Sequence, residues 1–442
     1  MNTKISILGL LFVITLLIAS GCCEDDEALI QPSIVKNLTL EIANRTSISD
    51  ENHQEALLLS RSNGEIIFIK KIEQDEIVEY EFLGSDGEVF NLFWLQSNSS
   101  DQNTDRLLIN SFLDIEVGNS ENWKFSVEPE PVVNVTPQAL AISITTGTSA
   151  IKYLNIIQPG HPSPYRTVNP SQEFLQNIFL YTSYPSEKII LQVKEENSNI
   201  WKGFVLQYEE GEATDIDLNI NEFIPMSLES IEVEPDVDVA AVIAGRDTEG
   251  FNTWWLGESW TIKHYGADTG IADNEYLLMD YGFNNYYSSI RLRRGNEIHQ
   301  LLRSGSEIPA SFLTAPIDVN FQGNNLMDFQ VESTDQNTFF KSKWIYSGVD
   351  SQQSRAIEIL WSIEGRIGEH YKLPEIRDCL SLVVPADIST ADFEISSLGE
   401  EEVNNYFTDQ GWFKYLFKED DSYLPYSQWL AGDGVIYRGY EY

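Results

Sequence analysis

One pattern limits this chain more than any other: apolar residues at every second position, with acids or small polar residues between them. Leu38, Leu40 and Ile42 alternate with Thr39 and Glu41, and Val78, Tyr80 and Phe82 with Glu79 and Glu81. Leu113, Ile115 and Val117 alternate with Asp114 and Glu116, and Leu140, Ile142 and Ile144 with Ala141 and Ser143. Ile216, Leu218 and Ile220 do the same around Asp217 and Asn219, as do Ile317, Val319 and Phe321 around Asp318 and Asn320. Successive side chains of a β-strand point to opposite faces, so each segment buries one face and turns the other to water. Turn residues fall between the segments, at Ser62-Asn63-Gly64, Gly84-Ser85-Asp86-Gly87, Glu209-Glu210-Gly211 and Arg294-Gly295-Asn296. Short strands with frequent turns predict an all-β protein built of β-sandwich-like modules.

The chain has 442 residues, which suits three domains of about 150 residues or four β-modules of about 100. Two clear breaks are Glu128-Pro129-Glu130-Pro131 and Glu232-Val233-Glu234-Pro235-Asp236, and a weaker one lies near 333–337. They divide the chain into three to four consecutive modules, over 36–128, 132–233, 236–333 and 338–442, behind an N-terminal segment 1–21 and a tether 22–35. Short helices are expected near 171–181, where Phe174, Leu175, Ile178 and Phe179 share a helical face after Pro170-Ser171. A second is expected near 400–407, with acids in its first turn and Val403 beneath Phe407. Residues 355–363 fit either state. Segments 64–94, 187–220 and 286–322 share a hairpin-like texture, without the residue-level repeat of a solenoid or propeller.

The alternation also accounts for the charge. Acids outnumber bases 69 to 28, a formal net charge of −41, and carboxylates on the wet faces of strands are compatible with a core. Such a field repels a phosphate backbone, which argues against nucleic acid as a partner. The richest basic stretch, Arg291-Leu292-Arg293-Arg294 with Arg303 nearby, does not read as a groove against that background. A hydrophobic fraction of 42% and an aromatic fraction of 12% exclude a wholly disordered acidic chain.

The N-terminus carries an address. Lys4 precedes an apolar run from Ile5 to Ile18, followed by the small residues Ala19, Ser20 and Gly21 and then Cys22, the layout of a secretory signal peptide. Small residues ending on cysteine resemble the lipobox of bacterial lipoproteins, in which the cysteine becomes the lipidated N-terminus. Cys22 matches that position and Gly21 the residue before it, while Ala19 stands where leucine is commoner. The run Cys23-Glu24-Asp25-Asp26-Glu27 is similar to the acidic export tag of surface-exposed lipoproteins in Bacteroidota. The resemblance implies a lipid on Cys22, the outer membrane as partner and a position facing the cell exterior. The alternative is an uncleaved anchor over residues 5–23, which is interrupted by Ser6, Gly9, Thr15, Ser20 and Gly21.

Motifs with a mechanism behind them are missing. The chain has no G-x-S-x-G elbow, H-E-x-x-H helix, phosphate-binding loop or dinucleotide fingerprint, and His53, His161, His264, His299 and His370 have no mutual ligand spacing. Carboxylate pairs of the kind a glycosidase uses are everywhere among 69 acids and so carry no information. The Asp215-to-Asn221 run lacks the glycine of a calcium loop and reads as a strand with a solvent row, and Asp268, Asp273, Asn274 and Glu275 form a second weak calcium candidate. Cys379, in an apolar run, reads as a buried inert thiol. The best lead is aromatic: Trp254, Trp255 and Trp260 lie in one Gly- and Asn-containing segment. Adjacent strand residues point to opposite faces, so one indole of the Trp254–Trp255 pair can be exposed for a sugar ring, and the alternative is that all three pack in the core. Tyr423, Tyr426, Trp429, Tyr437, Tyr440 and Tyr442 carry the same two readings. No cofactor or metal is expected. The sequence therefore points to a non-enzymatic surface binding or adhesion protein, for a neutral glycan or another surface protein. A polysaccharide-degrading or other hydrolytic enzyme is the alternative.

Overall fold

The computed structural model describes residues 34–42, 53–72, 77–84, 88–101, 104–116, 122–127, 138–146, 150–159, 165–166, 174–182, 186–209, 214–246, 260–263, 271–334, 339–349, 356–383, 387–403 and 435–442. The protein is all-β, with several sheets. Among the described residues, helix is confined to Arg377–Leu380 and to 3-10 turns at Ile220–Glu222 and Thr390–Asp392. None is long and apolar enough to cross a membrane.

The organising element is a twelve-stranded sheet that draws on three of the four segments. Its spatial order is Trp260–Lys263, Asp238–Arg246, Asn285–Arg294, Glu297–Gly305, Val435–Glu441, Glu394–Val403, Phe339–Val349, Ala356–Arg366, Thr104–Glu116, Val89–Asp101, His53–Arg61 and Ile66–Ile72. Neighbours pair antiparallel except Ala356–Arg366 and Thr104–Glu116, which run parallel over nine residue pairs from Ala356↔Thr104 to Glu364↔Phe112. That single parallel joint brings strands of the first segment beside strands of the last.

One face of this sheet is covered by two cores. The first gathers Leu107, Ile109, Ile357, Ile359, Trp361, Phe340 and Trp344 against Phe329, Val331 and Tyr371 of a three-stranded sheet and against Cys379 and Leu380 of the short helix. The second packs Ala241, Ile243, Ile290 and Leu292 on Ile157, Ile190 and Trp201. These last three belong to a five-stranded sheet whose other face supplies Ile189, Leu191 and Val193 to a third core. Strand Ser186–Glu195 is thus buried on both faces, which is why its centre reads Ile189-Ile190-Leu191 rather than alternating.

The period-two segments are strands: Ile34–Ile42, Ile77–Gly84, Thr104–Glu116, Gln138–Thr145, Asp215–Asn219 and Val319–Asn325. Gly64 and Gly295 make their hairpin turns with φ of 85° and 63°. Both helix expectations are corrected. Residues 174–182 form strand Phe174–Thr182, antiparallel to Gln138–Thr145, with a register shift between Leu175 and Ile178. The extra residue turns a spacing of two into a spacing of three, the spacing that reads as helical. Residues 400–403 close strand Glu394–Val403, which is held between two partners, and 404–407 lie outside the described residues. The ambiguous 355–363 stretch falls in strand Ala356–Arg366, buried at every second residue from Ile357 to Gly365.

A second irregularity sits at Asp114. Phe90 pairs with Ile115 and Leu92 with Phe112, so one extra residue is accommodated there, and Asp114 takes φ 56°. Its backbone amide donates to Asn91 Oδ1 at 3.1 Å, and the Tyr371 hydroxyl donates to its carboxylate. Burial raises the Asp114 pKa against the opposing effect of that hydrogen bond.

Candidate functional site

The face opposite the two cores carries a cleft of about 260 Å³, midway along the large sheet. Five adjacent strands build it, and the register sets its side chains in rows. In one row Arg291 pairs with Gln300, Gln300 with Tyr437 and Tyr437 with Glu401. The next runs Arg293, Ile298, Gly439, Gly399, Lys341 and Glu364. The third runs Glu441, Ser397 and Lys343. Because side chains alternate between faces, Arg291 with Arg293 and Lys341 with Lys343 reach the same side, although the two pairs come from strands about fifty residues apart.

The floor is a glycine pair. A Cβ on Gly399 would lie 2.4 Å from Tyr437 Cε2, and one on Gly439 would lie 2.5 Å from the Tyr437 hydroxyl. The phenol ring therefore lies over two residues with no side chain, a place only glycine leaves open. Gln300 and Ser397 stand on either flank as hydrogen-bonding groups, and Ile298 and Leu302 add apolar wall.

The electrostatics are the inverse of the chain's average. Arg291 Nη2 lies 2.5 Å from Glu441 Oε1, and Arg293 Nη1 lies 3.6 Å from Glu441 Oε2. Lys341 Nζ lies 2.5 Å from Glu364 Oε1. Lys343 is exposed and has no ion-pair partner among the described residues. On the covered side, the same strands carry His299, Arg438 and Glu400. Arg438 Nη1 lies 3.8 Å from Glu400 Oε1, and Ser333 Oγ donates to Glu400 Oε2 at 2.9 Å. Burial pushes His299 below the ordinary histidine range, and the Arg438 and Arg294 charges act the same way against Glu297 and Glu234.

Tyr437, one of the C-terminal aromatic residues singled out from sequence, lines this cleft, while the tryptophan and cysteine candidates fall elsewhere. Cys22, Trp254 and Trp255 lie outside the described residues. Trp260 is 7% exposed. Its ring centroid is 5.4 Å from that of Phe283, Lys188 Nζ sits 5.6 Å from its centroid, and its Nε1 donates to the Lys188 carbonyl. Such an indole takes the packing alternative, since it has no face free for a sugar. Cys379 is fully buried, and burial pushes its thiol up to about 12. Of the calcium candidates, Asp268 lies outside the described residues; Asn219 forms a capping box with Glu222, Glu275 accepts from Ala272 N at 2.9 Å, and Asn274 Nδ2 donates to Ile231 O at 3.1 Å. Among the described residues, no group of three or more His, Cys, Asp or Glu is placed to hold a metal.

The cleft is what sequence reasoning passed over. Its signals were present as two alternating basic pairs and two glycines inside strands, but nothing in a linear reading joins 291, 341, 399 and 437.

No protein-family model matches the chain, and no curated protein matches it. Among solved structures, it is similar to two B repeat units of the collagen binding protein of Staphylococcus aureus, at 8% identity and a TM-score of 0.12, over 76% of this chain and 100% of that one. It is also similar to the pilus adhesin SpaC from Lactobacillus rhamnosus GG, at 7% identity and a TM-score of 0.12, over 76% of this chain and 44% of that one. At such TM-scores, nothing about role follows from either likeness.

Proposed function

We propose that this chain is a non-enzymatic, lipid-anchored binding protein of the bacterial outer membrane, displayed toward the cell exterior, and that it holds a glycan in the cleft of its large sheet. The address rests on Cys22 behind its apolar run and on the acidic residues 24–27. The observation that carries the binding role is the Tyr437 ring laid over Gly399 and Gly439 with Gln300 and Ser397 beside it. A flat aromatic face packs on the C–H groups of a sugar, while amide and hydroxyl groups take its hydroxyls. An open cleft on a sheet face also lets a polymer pass through without a chain end. The test is a glycan array of neutral and acidic polysaccharides probed with the full chain in detergent. Selective retention of at least one polysaccharide, lost in Tyr437→Ala, is the expected result. An array silent for every glycan overturns the reading.

A further inference from the structure

We propose that the cleft selects a carboxylate on its ligand, so that the glycan is an acidic one containing uronic acid. This assignment rests on the glycan-binding reading above and deepens it. In a chain where acids outnumber bases 69 to 28, the cleft gathers Arg291, Arg293, Lys341 and Lys343 on one face. Facing them are Glu441 and Glu364, and Glu401 is the register partner of Tyr437. Bases outnumber acids here even when all three carboxylates are counted.

The arrangement fits a carboxylate in particular. Arg291 and Arg293 already converge on the carboxylate of Glu441, and a guanidinium presents a donor fork matched to that group. Lys343, beside Ser397 and one row from the glycine pair, carries a charge that no ion pair among the described residues neutralises. Adjacent strands lie about 4.8 Å apart, and alternate residues of a strand about 7 Å apart. The strands that bear the cations lie two spacings, about 10 Å, from the strand of Tyr437 on either side, a gap that a pyranose ring with its exocyclic carboxylate and the long arm of Arg293 or Lys343 span together.

The net charge of −41 does not oppose this ligand as it opposes denser polyanions. At physiological salt, exposed charges are screened beyond about 8 Å, so the local cations govern a single carboxylate seated among them. A uronan carries one charge per sugar, and the rings outside the cleft meet a screened field. A peptide is the less suitable occupant. The site is on a sheet face, away from any edge where a peptide backbone could add as a strand.

The experiment compares oligogalacturonate with its methyl ester, which has the same rings and no charge, and with oligoglutamate, by titration calorimetry on the full chain in detergent. The acid form is expected to bind more tightly than the ester. Lys343→Gln should weaken the acid about 1.5- to 5-fold, the range of a single exposed charge pair, and leave the ester unchanged. Lys343→Glu should weaken the acid further, Lys343→Arg should retain it, and Lys152→Gln on a separate sheet should change nothing. Equal affinity for acid and ester, or equal loss of both in Lys343→Gln, overturns the carboxylate assignment while leaving a glycan binder. Oligoglutamate bound as tightly as oligogalacturonate overturns the sugar. Binding of no glycan, acidic or neutral, overturns this proposal and the functional reading together.

Discussion

Gly245→Ala offers a sharp test of how the region around Trp260 is built. A Cβ at this position would lie 1.9 Å from Phe283 Cδ2 and 2.2 Å from Cε2, where ordinary contact is 3.4–4 Å. The ring must therefore withdraw, yet its centroid is 5.4 Å from Trp260, 5.6 Å from Tyr281 and 6.0 Å from Tyr286, and Lys188 Nζ sits 4.5 Å from it. Overfilling a packed site costs about 1–3 kcal/mol, and each aromatic pair lost adds about 0.5–1.5 kcal/mol. Alanine regains about 0.5–1 kcal/mol over glycine within a strand. The balance is a destabilisation of about 2 kcal/mol. Gly203 is the control. Its nearest atoms are Met279 Sδ at 2.2 Å and Met226 Sδ at 3.0 Å, flexible thioethers that can turn aside, so Gly203→Ala should cost less than about 1 kcal/mol. Urea unfolding midpoints at unchanged slope measure both. The double variant Gly245→Ala/Phe283→Leu should cost less than the sum of its parts, because the clash is shared. A Gly245→Ala midpoint at or above the native one, or a Gly203→Ala cost exceeding it, refutes the reasoning.

Three further outcomes follow from the same physics. Cys22→Ala should abolish incorporation of labelled fatty acid and leave an unprocessed precursor or a released protein; unchanged processing and retention would rule out the lipid anchor. Gly399→Ala should displace Tyr437 and lower glycan retention on the array, since its Cβ would also lie 2.6 Å from the Arg438 carbonyl; full retention would show that the ring is not the platform. Asp114→Asn tests a buried acid whose folded pKa lies above its reference of 3.8. A raised carboxylate favours the fold below its unfolded pKa and loses that contribution as pH rises through the folded one. Asparagine tolerates the φ of 56° and keeps an acceptor for Tyr371. The variant should match the native midpoint near about pH 3 and gain on it toward about pH 7; a gain that shrinks with rising pH would contradict the sign.

Strand content was legible because burial on one face leaves a period in the sequence, as at Leu140, Ile142 and Ile144 of Gln138–Thr145 or in Asp215–Asn219. The helix expected near 171–181, where the structure has strand Phe174–Thr182, shows where that legibility stops. One residue inserted between Leu175 and Ile178 imitates helical spacing, and only the partner strand reveals the insertion. Glu400 and Glu401 mislead differently. Acids suit a helix start, but two flanking strands supply both rows of backbone hydrogen bonds there, and local preference yields to them. The large sheet was invisible for a related reason. Thr104–Glu116 and Ala356–Arg366 pair across about 250 residues, and alternation tells which face a residue takes but not which strand lies beside it.

The same limit governs the binding site. Net charge is a property of the whole chain, and it correctly weighs against a dense polyanion meeting the protein from a distance. It does not describe the few ångströms around Tyr437. There, Arg291 and Arg293 from one strand and Lys341 and Lys343 from another are set on one face by the pleat and brought together by three intervening strands, Glu297–Gly305, Val435–Glu441 and Glu394–Val403. Each basic pair alone looks like ordinary solvent-facing polarity. Together with a ring over two glycines they make a place where the local field has the opposite sign to the global one. Screening separates the two scales, so affinity for a carboxylated ligand should fall with added salt in proportion to the few cations in the cleft, not to the −41 of the whole chain.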